Sequence, residues 1–168
     1  MRSIRHGETI MRIEKIMSRH VVTCVPQDSL EHAASLMWNG DCGCLPVLAA
    51  GGGRIAGVIT DRDICMAALF QGRPLRDIRV EEAMAKKVLT CRASDEIEEA
   101  QRQMQNEQIR RLPVVGNDGE LIGIVSMADI ACESARSQYK QRQEIPASEV
   151  TATLAKISAR PVERQHAA

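Results

Sequence analysis

Two stretches of this chain repeat one another almost in register, so whatever unit the first folds into, the second must fold into as well. From Ile16 the sequence reads IMSRHVVTCVPQDSLEHAASLMWNGDCGCLPVL, and from Ala83 it reads AMAKKVLTCRASDEIEEAQRQMQNEQIRRLPVV. Met17 matches Met84, Thr23-Cys24 matches Thr90-Cys91, Ala33 matches Ala100, Met37 matches Met104, and Leu45-Pro46-Val47 matches Leu112-Pro113-Val114. The register slips by a residue at Gly51-Gly52-Gly53, which places the slip in a turn. It then resumes, with GVITDRDI from Gly57 against GIVSMADI from Gly123.

Each copy reads as the same string of elements. A short apolar segment (Val21 to Cys24, Val88 to Cys91) predicts a first strand. Leu30, Ala33, Ala34 and Met37 then recur at helical spacing, as do Ile97, Ala100 and Met104. Asp28 and Asp95 stand where a helix N-cap is wanted. Two apolar runs follow, Leu45 to Leu48 and Ile55 to Thr60, joined by the glycine turn. Their counterparts, Leu112 to Val115 and Leu121 to Ser126, are joined by Asn117-Asp118-Gly119, so both pairs predict a β-hairpin. A last helix runs from Asp63 toward Leu69 and from Asp129 toward Ala135. The unit is β-α-β-β-α, about 50 residues long and near the lower limit for burying a core alone.

These signals divide the chain into an N-terminal extension (1–15), a first repeat (16–70), a connector (71–82), a second repeat (83–135) and a polar C-terminal tail (136–168). The connector carries Leu75, Ile78 and Val80 and reads as ordered. In the tail, Val150, Leu154 and Ile157 predict one amphipathic helix within Ser148 to Ile157.

Composition removes several classes of function. The 22 basic residues cancel the 22 acidic ones, so no net field draws the chain to nucleic acid or an anionic membrane. Trp38, Phe70 and Tyr139 are its only aromatic residues, too few for a base-stacking platform. No apolar run reaches the ~18 residues of a membrane helix, and Met1 to Met11 lacks the apolar stretch of a signal peptide, which leads us to expect a cytoplasmic protein. The six cysteines, Cys24, Cys42, Cys44, Cys65, Cys91 and Cys132, then read as reduced thiols. No nucleophile elbow, Walker loop or HExxH motif occurs, so no enzyme is expected.

The chemistry concentrates at Gly-h-h-Thr-x-x-Asp (Gly57 to Asp63) and Gly-h-h-Ser-x-x-Asp (Gly123 to Asp129), where h is apolar. Each ends a strand and opens a helix, a junction whose unpaired N–H groups favour an anion such as phosphate. The hydroxyl of Thr60 or Ser126 adds a donor, and a carboxylate one turn on can accept both hydroxyls of a ribose diol. The same spacing is also that of a capping box that merely seals a helix. The residues alone permit both readings.

The element order, the Leu-Pro-Val strand and the paired Gly-h-h-Thr/Ser-x-x-Asp endings resemble the CBS-domain family in its tandem arrangement, often called a Bateman module. The resemblance covers about Ile16 to Ala135. It implies an α+β fold, with two repeats packed as a pseudo-two-fold pair, and a non-catalytic regulatory role in binding an adenosine ligand: AMP, ADP, ATP, NAD or S-adenosylmethionine. In that family the Thr or Ser meets phosphate, the Asp meets ribose, and adenine lies in an apolar pocket. Carried over, this implies Thr60 and Asp63 with Val22, Cys42 and Gly43, and Ser126 and Asp129 with Leu89, Ile109 and Arg110. Where the second copy has Ile109-Arg110-Arg111 the first has Cys42-Gly43-Cys44, so Arg110 and Arg111 make one cleft the more basic, with Arg62 a candidate in the other. The family also implies a homodimer in which two pairs meet as a flat disk, and a separate effector protein as partner.

Two other readings compete. Cys42-x-Cys44 could serve a thiol or metal sensor, although zinc sites usually space their cysteines by two to four residues and supply four ligands, and no histidine stands at ligand spacing. The chain could also be a ligand-free scaffold for protein interaction.

Overall fold

The computed structural model describes residues 11–139 and 145–159. What the sequence predicts for the first ten residues, for part of the polar stretch Ser137 to Glu144 and for the chain beyond Ala159 lies outside them. The elements run α1 (Leu30–Asn39), β1 (Cys44–Leu48), β2 (Ile55–Thr60), α2 (Asp61–Gln71), α3 (Val80–Ala83), β3 (Cys91–Arg92), α4 (Ile97–Glu107), β4 (Arg111–Val115), β5 (Leu121–Ser126), α5 (Met127–Tyr139) and α6 (Ala147–Ser158). Short 3-10 turns at Ile13–Lys15 and Leu75–Asp77 complete the list, and the fold is α+β.

β1 and β2 form the expected antiparallel hairpin, with Leu45 opposite Ile59 and Val47 opposite Gly57. Its register shifts between Val47 and Leu48, and Gly51, Gly52 and Gly53 turn the chain at φ of 98°, 88° and 88°. A positive φ is a conformation in which glycine carries no steric cost, so the slip seen in the sequence is an irregularity at the turn and leaves the strands aligned. In the second repeat the strands order as β3-β4-β5.

The first strand of each repeat is shorter than expected. Val21 to Cys24 contributes a single parallel bridge, Cys24 to Val47, while Val88 to Cys91 yields only the two-residue β3, which pairs Cys91 with Val114 and Arg92 with Val115. The cause is the proline of each Leu-Pro-Val. Cys24 donates to the Pro46 carbonyl at 3.2 Å and accepts from Leu48 at 2.9 Å, but Pro46 and Pro113 have no N–H with which to continue the ladder toward Val22 or Leu89.

The α1 cap also falls one residue later than predicted. Asp28 turns its carboxylate back to the Val25 N–H at 2.9 Å, leaving Ser29 as N-cap, whose Oγ accepts from His32 at 3.1 Å. At α4 the N-cap is Glu96, not Asp95.

The chain divides into two compact units that cut across the sequence repeats. Of the described residues, one holds 11–17, Ala93–Leu112, 125–139 and 145–159, and the other holds Ser18–Arg92 and Pro113–Ile124. In the second of these, Leu30, Ala33 and Met37 of α1 pack with Leu45, Val47, Ile59, Ile64, Ile78 and Val80 into one buried core. In the first, α6 lies on α4 and α5 and buries Val150, Thr153 and Ile157. Gln105 Nε2 donates to Thr153 Oγ1 at 2.7 Å, and Gln108 Nε2 donates to the Ala159 carbonyl at 2.9 Å.

The structural correspondence between the repeats extends upstream of Ile16. Arg12 donates to the Ser94 carbonyl at 2.7 Å in one unit, and Arg79 to the Gln27 carbonyl at 3.0 Å in the other. Ile97 donates to Met11 O at 3.1 Å, as Leu30 does to Ile78 O at 2.9 Å. Met-Arg-Ile-Glu from Met11 against Ile-Arg-Val-Glu from Ile78 is the sequence signal for this latch.

Candidate functional site

Both motif endings adopt one geometry. Val58 and Ile59 carry β2 into the core edge, and Thr60 leaves the strand in extended conformation at φ −116°, ψ 163° to cap α2. Its N–H and hydroxyl both donate to Asp63 Oδ2, at 2.9 and 2.7 Å, while Asp63 N–H donates back to Thr60 Oγ1 at 3.2 Å. Ser126 and Asp129 repeat this at 2.8, 2.6 and 3.3 Å. All four side chains are half-buried. Each motif is therefore a reciprocal capping box, and its carboxylate engages the cap through one oxygen, Oδ2.

The structure brings several predicted pocket residues beside these caps. Asp61 N–H donates to the Gly43 carbonyl at 3.3 Å, and Met127 N–H donates to the Arg110 carbonyl at 3.0 Å, so the residue before each Leu-Pro-Val strand touches the first turn of the motif helix. A Cβ on Gly43 would lie 2.8 Å from Asp61 Oδ2, so only glycine admits this approach without a shift. Val22 Cγ2 and Cys42 Sγ converge on Gly40, 3.3 and 3.4 Å from where its Cβ would stand. Ile109 is half-buried, while Arg62, Arg110 and Arg111 are exposed, with their charge in solvent. Leu89 is half-buried ahead of β3.

A cavity of about 470 Å³ opens between α1 and α2. Of the predicted residues only Cys42 and Gly43 line it. Thr60, Asp63, Val22 and Arg62 do not; the remaining wall is Ala34, Met37, Trp38, Asp41, Asp61, Ile64 and Cys65. Of these, Asp61 stands inside the Gly57–Asp63 motif, while Trp38, Asp41 and Cys65 belong to no motif. Asp41 has φ 46°, and Gln108, its counterpart in the second repeat, has φ 54°.

Among the described residues no three His, Cys, Asp or Glu side chains are grouped to hold a metal ion. Cys24 is buried, and burial, followed by the charges of Asp28 and Cys44, pushes its thiol from 9.0 up to about 12, which keeps it protonated and a poor nucleophile. No described helix is long and apolar enough to cross a membrane.

Known proteins share this arrangement. The family model described as CBS domain matches residues 13–69 and 76–135. The CBS domain-containing protein YhcV of Bacillus subtilis is 34% identical over 119 residues, which are 71% of this chain and 82% of that protein. Among solved structures, the CBS domain pair of protein MJ0100 in complex with 5′-methylthioadenosine and S-adenosyl-L-methionine superposes with a TM-score of 0.66 at 26% identity, covering 73% of this chain and 98% of that one. Hypoxic Response Protein I with two coordinated zinc ions superposes with a TM-score of 0.65 at 31% identity, covering 73% and 98%.

Proposed function

The chain belongs to the CBS-domain family, with two CBS domains in tandem, and from that premise we propose that it is a non-catalytic regulatory module that binds an adenosine ligand at its two strand-to-helix junctions. The observation that carries this reading is the duplicated geometry of Thr60–Asp63 and Ser126–Asp129, in which each carboxylate caps its helix through Oδ2. The other oxygen of each is the acceptor offered to a ribose diol. The adenosine compounds bound by the MJ0100 domain pair support the ligand class.

Among AMP, ADP, ATP, NAD and S-adenosylmethionine, the Ser126–Asp129 site takes the more highly charged. Arg110 and Arg111 stand beside its cap where the other site has Gly43 and Cys44, and Asp61 offsets the charge of Arg62. Val22, Cys42 and Gly43 in one site, and Ile109 in the other, supply adenine walls. The module acts in the cytoplasm on a separate effector protein. It forms a homodimer through the C-terminal end of α2, where Leu69 and Phe70 are 70% and 79% exposed. Of the apolar helix side chains Leu36, Met37, Met66, Leu69 and Met104, Met37 and Met104 belong to the core, at 5% and 0% exposure, and take no part in that contact.

Mass spectrometry of the small molecule released when the purified protein is denatured tests the reading. An adenosine compound is expected. At 100 times its dissociation constant it should stabilise the fold by about 2.7 kcal/mol, a clear thermal shift. No released ligand, and no shift with a panel of adenosine compounds at millimolar concentration, would leave the junctions as helix caps alone.

A further inference from the structure

The buried polar side chains of the described residues gather in one place. They are Gln101, Ser134, Ser137 and Thr153, none more than 3% exposed, and all stand on α4, α5 or α6. The described part of the other unit buries none. A permanent core excludes such groups, because each must find a partner away from water, and Gln101 Nε2 has none among the described residues. Amides and hydroxyls beneath a helix suit a surface that meets water part of the time.

The attachment of α6 fits that reading. The helix buries Val150, Thr153 and Ile157, and Pro146 at its N-cap supplies no side-chain hydrogen bond. Its ties to α4 run through Gln105, which meets Thr153 and accepts from Lys156 Nζ at 3.2 Å, and through Gln108, which donates to the Ala159 carbonyl. On α5, Ser134 Oγ donates to the Ile145 carbonyl at 2.9 Å. Water can replace every partner in these bonds. A helix of 12 residues is marginal alone in water, so α6 melts when it leaves, and its docking is a local equilibrium separate from global unfolding.

The face under α6 is complementary to itself. A Gln amide and a Ser hydroxyl each donate and accept, so Gln101, Gln105, Ser134 and Ser137 can pair with the same residues of a second copy about a two-fold axis. The orphaned Gln101 amide gains an acceptor there. We infer that α6 is a displaceable cover on the α4–α5 face: docked, it keeps that face from a second copy of the chain, and released, it opens the face to one. The device uses no residue of the two proposed nucleotide junctions and none of α2.

The test uses the full chain carrying Phe70→Glu, so that the contact proposed at α2 does not contribute. Hydrogen exchange should show the amides of 150–158 opening faster than those of α4. Thr153→Arg sets a charged side chain at a position with 0% exposure, so the α6 amides should lose their protection. Light scattering should then show self-association tightened about 10-fold or more, because the face is no longer shared with α6. A synthetic peptide of residues 145–159 in excess should return Thr153→Arg toward the parent state by refilling the groove. Adding Gln105→Glu to Thr153→Arg brings like charges to the paired face and should also reverse the association. A released α6 with unchanged association, an association that neither the peptide nor Gln105→Glu reverses, or α6 amides that open only together with α4 would overturn the proposal. The thermal shift given by an adenosine ligand should be the same in Thr153→Arg as in the parent. Its absence from both would count against the nucleotide reading alone, so the two readings fail separately.

Discussion

Thr60 and Asp63 hold each other from both sides: the carboxylate receives the backbone N–H and hydroxyl of Thr60, and the Thr60 oxygen receives the N–H of Asp63. Sealing the helix and offering a polar surface to a ligand are therefore tasks of one pair of side chains. The pair Ser126 and Asp129 is built identically, so each repeat can be opened while the other stays intact.

Asp63→Ala and Asp129→Ala should each lower stability by about 1 kcal/mol, the usual cost of losing a helix cap, measured by urea unfolding without ligand. Each should also abolish one of two binding events in calorimetry with the ligand identified by mass spectrometry. The site left in Asp63→Ala should show the steeper salt dependence, because it is the one beside Arg110 and Arg111. Stability loss with no change in binding stoichiometry would reduce the motif to a cap.

Gly57 and Gly116 predict opposite outcomes for the same substitution. A Cβ at Gly57 would stand 2.7 Å from Met84 Sδ and 2.9 Å from the Ala85 carbonyl, and that carbonyl is tied into a bridge with Val58. Met84 can swing aside, but the carbonyl cannot, so Gly57→Ala should cost about 1–3 kcal/mol. At Gly116 the obstacle is the far end of the Glu120 side chain, so Gly116→Ala should cost less than about 1 kcal/mol. Urea midpoints of the two variants check the contrast.

Gln101 is 3% exposed under α6, and among the described residues its Nε2 has no hydrogen-bond partner. Gln101→Met keeps the volume and removes the orphaned donor. Thermal unfolding should show the variant as stable as the parent or more stable by up to about 1 kcal/mol. A loss of more than that would mean the amide is satisfied in solution.

Cys24 gives the fold an alkaline limit. Its thiol is raised from 9.0 to about 12 by burial, so the folded state holds the proton more tightly than the unfolded chain. The resulting stability is fully present below about pH 9 and is lost as pH rises through the window from 9 to 12. Between pH ~8 and ~10.5 the urea midpoint should fall further for the parent than for Cys24→Ala. Parallel slopes in the two proteins would show that Cys24 does not set this limit.

The sequence by itself determined what is local. Hydrophobic spacing fixed α1 and α4, apolar runs around glycine turns fixed the two hairpins, and Thr60-x-x-Asp63 with Ser126-x-x-Asp129 fixed the strand-to-helix junctions, because each depends on residues within a turn or two of one another. Tertiary structure decided the rest. Periodicity in Leu30, Ala33, Ala34 and Met37 says that a face will be covered but not by what, and the covering segment is far away in the chain. α6 comes from beyond Pro146 to cover α4, while Trp38 stays 87% exposed. The shortening of the first strands beside Pro46 and Pro113 belongs to the same class, since a missing N–H matters only once a partner strand is placed against it. Long-range pairing is set by which faces meet, and a pattern read along one segment carries no record of the other.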